Sequence, residues 1–105
     1  MIEVGKLYSC SEYFLLLFPD KETAAVTRHG DAHYGTEDFA VAHATYWTRK
    51  LGKSVSYCNP QTPLLVLSVK EKYIEVLAGE QKGWIIYPDW LNSVTGRPAF
   101  SVCKP

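Results

Sequence analysis

Apolar residues along this chain fall into short clusters separated by polar breaks that contain proline or glycine. The first cluster runs from Val4 through Tyr8. The second is "YFLLLF", Tyr13 to Phe18, closed by Pro19–Asp20. An unbroken apolar run of this length suits a strand covered on both faces, or an edge packed under another element. Pro19 has no N–H for a ladder, so the strand ends there. "PDKE" then reads as a turn, and "TAAVT", Thr23 to Thr27, as the return strand of a hairpin. "RHGDAHYG", Arg28 to Gly35, is polar, carries two glycines and reads as a surface loop.

The spacing then changes. In "TEDFAVAHATYWTRKLG", Ala40, Ala44, Trp47 and Leu51 form one helical stripe, with Phe39, His43 and Trp47 on an adjoining line. Thr36 is placed to cap free amides, and Glu37 and Asp38 occupy the first turn, where the helix dipole favours negative charge. Arg49 and Lys50 fall in the last turn, and Gly52 is placed as a left-handed terminator. These signals predict a helix over about 36–51. A strand through "VAHATYW" is the competing reading, because Val, Thr, Tyr and Trp also suit sheets.

After Gly52 the pattern returns to strands: "SVSYC" (54–58), "LLVLSV" (64–69), "YIEVLAG" (73–79) and a segment from Trp84 to Tyr87. Leu65, Leu67 and Val69 alternate onto one face. Ile74 and Val76 share a face opposite Tyr73, Glu75 and Leu77. "KEK" and "GEQKG" supply tight reversals, so the last three strands make a meander. A meander buries little alone and gains by closing into a barrel, which also removes exposed edges. The expected fold is mainly β: one small barrel domain over 1–105 with one inserted α-helix.

Length and charge narrow the function classes. The chain has 105 residues, the size of one domain, and is 47% hydrophobic, which fits a globular protein. Eleven basic residues balance eleven acidic ones, so no long-range field gathers nucleic acid or an anionic membrane. The three cysteines, Cys10, Cys58 and Cys103, are widely spaced without a CxxC, which fits a reducing compartment. The opening "MIEVGKLYSC" lacks the basic and apolar regions of a signal peptide, and the six-residue apolar run is too short to span a bilayer. A cytoplasmic location is the expectation.

The segment "YIEVLAGEQKGWIIYPDWL" resembles the C-terminal half of bacterial SH3-like domains. Gly83–Trp84–Ile85 matches that family's Gly–Trp–Val/Ile element, and Trp90–Leu91 its closing aromatic–leucine pair. The resemblance spans Pro63 to Leu91, with Pro88–Asp89 inside a slightly longer Trp84-to-Trp90 spacing. It implies a small SH3-like barrel with the region from Pro19 to Gly52 as an insertion. The eukaryotic peptide-binding pattern is absent, so no proline-rich ligand is implied.

Candidate chemistry is sparse. Trp84 opens a strand, as a core or rim aromatic or as a groove wall. Trp90 follows Pro88–Asp89, a good start for a helical turn. An aromatic with a free polar tip is a common binding anchor. Tyr73, Trp84, Tyr87 and Trp90 are therefore the expected partner-binding residues. His29, Asp31 and His33 resemble metal ligands, but a site needs three or four donors and the loop explains their polarity. His43 lies between Phe39 and Trp47, as a satisfied helix residue. Thiol catalysis would need Cys58 or Cys10 beside a histidine and an oxyanion pocket, which no spacing requires. Arg49, Lys50 and Lys53 form a short basic group at a helix end. The reading is a non-catalytic protein–protein interaction module, accessory or regulatory, with no cofactor. A nucleic-acid-associated barrel and a small metal-dependent or thiol enzyme are the alternatives. The sequence does not decide whether a small molecule binds.

Overall fold

In the computed structural model, which describes residues 2–9, 13–26, 33–86 and 101–102 (33, 101 and 102 by backbone only), the apolar run becomes a strand covered on both faces. Strand β2 (Phe14–Leu17) and the adjoining Phe18 send alternate side chains into two hydrophobic clusters. Leu15 and Leu17 join Tyr8, Leu64, Val66, Ile74, Val76 and Ile85. Leu16 and Phe18 join Ala24, Ala44, Trp47, Val55, Tyr73 and Ile86. Burial of each large apolar side chain stabilises the fold by about 1.5–3 kcal/mol relative to exposure, so this strand is the hydrophobic centre of the molecule.

The strands form two sheets. The larger has the order β7–β6–β5–β1–β8, built from β1 (Leu7–Ser9), β5 (Leu64–Lys70), β6 (Tyr73–Ala78), β7 (Gln81–Ile86) and β8 (Ser101–Val102). The smaller has β2 between β3 (His33–Tyr34) and β4 (Ser56–Cys58). The described pairings are antiparallel, and β5, β6 and β7 form the expected meander. The two sheets meet at one corner. There Phe18 and Trp84 exchange both backbone hydrogen bonds, each 2.8 Å. Among the described strands the sheets do not otherwise close on each other. The fold is therefore mainly β.

Gly83 makes the corner possible. A Cβ there would lie 2.5 Å from Leu17 Cγ and 3.0 Å from the Phe18 carbonyl oxygen. Only a residue without a side chain lets β2 cross β7 this closely.

Helix α2 (Glu37–Leu51) forms as its end signals require. Thr36 is extended and its hydroxyl accepts the Phe39 N–H at 3.5 Å. Gly52 terminates the helix at φ 70°, where an L side chain would be strained, and its N–H reaches the Thr48 carbonyl at 3.0 Å. The helix packs across the smaller sheet with Ala40, Ala44 and Trp47 buried.

Three sequence expectations change. The return strand expected over Thr23–Thr27 is instead helix α1 (Lys21–Val26). The Asp20 carboxylate accepts the Thr23 N–H at 2.8 Å, and the Asp20 carbonyl accepts the Ala24 N–H at 3.2 Å. A capped first turn with Thr23 and Ala24 turned inward lets the segment cover β6 and β7. The loop expected over Arg28–Gly35 ends in β3, which pairs Phe14 with Tyr34. Last, Leu65, Leu67 and Val69 do not share one face. A bulge between Val66 and Ser68 shifts the phase, so Leu65 pairs with Leu77 and Val69 with Ile74, residues of opposite faces. Leu64 and Val66 carry the burial instead, each 1% exposed.

Candidate interaction surface

The meander places Tyr73 and Trp84 on one face of the larger sheet, because Tyr73 pairs with Ile86 and Glu75 with Trp84. Helix α1 folds over one end of that face. Tyr73 is left 9% exposed within the second cluster, where the Lys21 and Lys72 ammonium groups stand 5.9 and 5.5 Å from its ring centroid. This places Tyr73 in the core rather than on an open aromatic patch. Trp84 is half-buried and packs against the same cluster, with its backbone fixed by Phe18. Tyr87 and Trp90 lie outside the described residues.

Among the described residues, the exposed large apolar side chains are Val4, Leu7, Val26 and Val69 on other segments and three on α2, which include both exposed aromatics. Phe39 is 61% exposed and Tyr46 51%, with Val41 also exposed. Phe39, His43 and Trp47 are four apart, whereas the helix repeats every 3.6 residues, so the line rotates around the cylinder. Trp47 ends in the core, His43 at the boundary and Phe39 in solvent. Carbonyl oxygen only accepts, so His43 carries its proton on Nδ1 and donates it to the Phe39 carbonyl at 2.8 Å. Its ring stacks on Tyr34 with centroids 4.4 Å apart. Tyr46 meets Trp47 edge-on at 5.2 Å and accepts a hydrogen bond from the Lys50 ammonium at 3.2 Å. Phe39 and Tyr46 were not among the residues expected to bind. The available signal was their place outside the stripe Ala40, Ala44, Trp47, Leu51.

Three depressions border the helix, the first of them at Ala42, His43, Tyr46 and Trp47. Another, of about 410 Å³, lies between α2 and β4 and is lined by Val41, Ala44, Thr48, Val55 and Tyr57 among others. Here Thr48 Oγ accepts the Val55 N–H at 2.9 Å and shares its proton between the Ala44 carbonyl at 2.8 Å and the Val55 carbonyl at 3.2 Å. Burial raises the Tyr57 phenol above its ordinary range, reinforced by the nearby Glu37 charge. The third depression lies on the solvent side of the helix, between Ala42, Thr45, Tyr46, Arg49 and Lys50.

The groups considered for other chemistry are dispersed. Among the described residues, no three His, Cys, Asp or Glu side chains stand together as a metal cluster. His29 and Asp31 lie outside those residues, and His33 is described by its backbone alone. Cys58 is buried, and its Sγ contacts the Leu15 carbonyl at 3.7 Å. Lys53 pairs with Asp20 at 2.8 Å, which separates it from Arg49 and Lys50 as a basic group. That ion pair and the Thr23 N–H hold the Asp20 carboxyl below its usual value, and the same contact raises Lys53. Among the described residues, no helix is long and apolar enough to cross a membrane. The chain matches no protein-family profile, no curated protein and no solved structure.

Proposed function

We propose that this protein is a non-catalytic interaction module, accessory or regulatory in role, that docks another protein on the outward face of α2. The observation that carries the reading is the exposure of Phe39 and Tyr46 on a helix whose opposite face is fully engaged in the core. Large aromatics on a rigid helix bury much area with little loss of side-chain freedom, which is the character of binding hot spots. In the same reading half-buried Trp84 is a further docking residue, and Tyr87 and Trp90, outside the described residues, are carried over from the sequence alone. The finer architecture is a small SH3-like barrel with an inserted helix. It is supported by the β5–β6–β7 meander and by the Gly83–Trp84–Ile85 element at the crossing of β2 and β7. A cytoplasmic setting goes with three widely spaced cysteines and no CxxC.

The test compares affinity capture by the wild-type chain with capture by Phe39→Ala/Tyr46→Ala and by Trp90→Ala, each first shown to be folded by circular dichroism. A specific partner is then purified and its affinity measured by calorimetry. Loss of two anchors costs about 2 kcal/mol or more, roughly a thirtyfold weakening. Equal capture by all three chains would overturn the docking reading.

A further inference from the structure

The outward face of α2 has the form of half a helix pair. Of the residues that line the depression, Ala42, Thr45, Tyr46 and Arg49 have the spacing i, i+3, i+4, i+7, with Lys50 at its edge. Four residues so spaced are the hole that receives one side chain of a facing helix. One turn before it stands Phe39, exposed and without a core role. Ala42, between the two, is small enough to let a second helix approach closely. The ends of the helix carry opposite charge: Glu37 and Asp38 in the first turn, Arg49 and Lys50 in the last.

We infer that α2 pairs with α2 of a second copy of this chain, antiparallel about a two-fold axis near Ala42. In that arrangement Phe39 of each copy enters the hole of the other. With the axis near Ala42, Asp38 of each copy stands level with Tyr46 of the other and within one turn of its Arg49, so one acidic–basic contact occurs twice, as an isologous interface requires. A parallel pair would set like charges together and leave Phe39 facing Phe39. Helix α2 has 15 residues and is about 22 Å long, so the contact is short and the dimer is a concentration-dependent one. The inference rests on the interaction reading and names its partner.

Sedimentation velocity of the full chain across a concentration series tests it. The wild type shifts from monomer to dimer as concentration rises. Phe39→Glu, at a solvent-exposed position, weakens the dimer at least tenfold while the circular dichroism spectrum is retained. The decisive arm uses Asp38→Arg and Arg49→Asp. Each variant alone brings two like-charged pairs together and is monomeric. An equimolar mixture restores two opposite-charge pairs and dimerises. A wild type that stays monomeric at its highest soluble concentration overturns the inference but not the interaction reading, provided Phe39→Glu still loses a different protein. A dimer indifferent to Phe39→Glu, or a mixture no better associated than its parts, also overturns it.

Discussion

Gly83→Ala adds one methyl group at the point where the two sheets join. The new Cβ would stand 2.5 Å from Leu17 Cγ, 2.8 Å from Leu17 Cδ1 and 3.0 Å from the Phe18 carbonyl oxygen. Leu17 is 2% exposed, and its Cγ is a branch point rather than a flexible end, so it has little room to withdraw. The Phe18 oxygen is fixed because it accepts the Trp84 N–H at 2.8 Å. The strands must therefore separate. Overpacking of this kind costs about 1–3 kcal/mol. Weakening the two Phe18–Trp84 hydrogen bonds adds about 0.5–1.5 kcal/mol each. Against this, alanine recovers about 0.5–1 kcal/mol of the chain entropy that glycine loses in a strand. The net destabilisation is about 3 kcal/mol, which for a domain of this size lowers Tm by roughly 15 °C. Urea unfolding followed by tryptophan fluorescence, with calorimetry beside it, reads the change. Gly35→Ala is the control, because open space surrounds that position, and its effect stays within about 0.5 kcal/mol. In a Leu17→Ala background the clashing Leu17 atoms are gone, so Gly83→Ala should cost clearly less. Wild-type stability in Gly83→Ala, or the same loss in both backgrounds, would refute the steric argument.

Two further predictions concern the supports of the helices. Thr48→Val keeps the shape of the side chain but leaves the Val55 N–H without the hydroxyl it donates to, so unfolding in urea should show a loss of about 1–3 kcal/mol. Thr48→Ser keeps the hydroxyl and should lose less than about 1 kcal/mol, and equal losses in the two variants would exclude the hydrogen bond as the cause. Asp20 titrates below its ordinary 3.8 when folded, held there by Lys53 and then by the Thr23 N–H. Its contribution is therefore fully present above that ordinary value and is lost as pH falls through the lower folded one. Asp20→Asn keeps a capping side chain but not the charge, so Tm against pH should fall less steeply at the acid end than in wild type. Added salt should reduce the difference between them. Superimposed acid limbs would mean that the Asp20–Lys53 pair contributes nothing.

Much of the fold could be read from local chemistry. Helix α2 carries both of its end signals in adjacent residues, Thr36 with Glu37 and Asp38, and Arg49 and Lys50 with Gly52. The meander follows from alternation and tight polar turns. Helix α1 was misread as a turn and a return strand. The residues of "TAAVT" suit a strand as well, and only the cap at Asp20 decided between them. The bulge in β5 was not legible, because "LLVLSV" alternates equally well in either phase and the pairing with β6 selects one. For the candidate surface, Trp84 and Tyr73 stood out by residue type, while Phe39 and Tyr46 were hidden inside a helix that already had an apolar stripe.

What residue order decided alone is local: where helix α2 begins and ends, the strands of the meander, and that Tyr13 to Phe18 is a strand that must be packed against other elements. These follow from backbone hydrogen bonding, side-chain period and the transfer of apolar groups from water, all of which act over a few residues. Tertiary structure decided which aromatic residues stay in solvent. Tyr73 is buried because α1, some fifty residues earlier, folds over it. Gly83 matters because Leu17, far away in the chain, crosses it. Phe39 is exposed because Ala40, Ala44 and Trp47 fix which side of α2 meets the sheet. Exposure depends on what packs against a residue from elsewhere in the chain, and a single residue's type does not encode that.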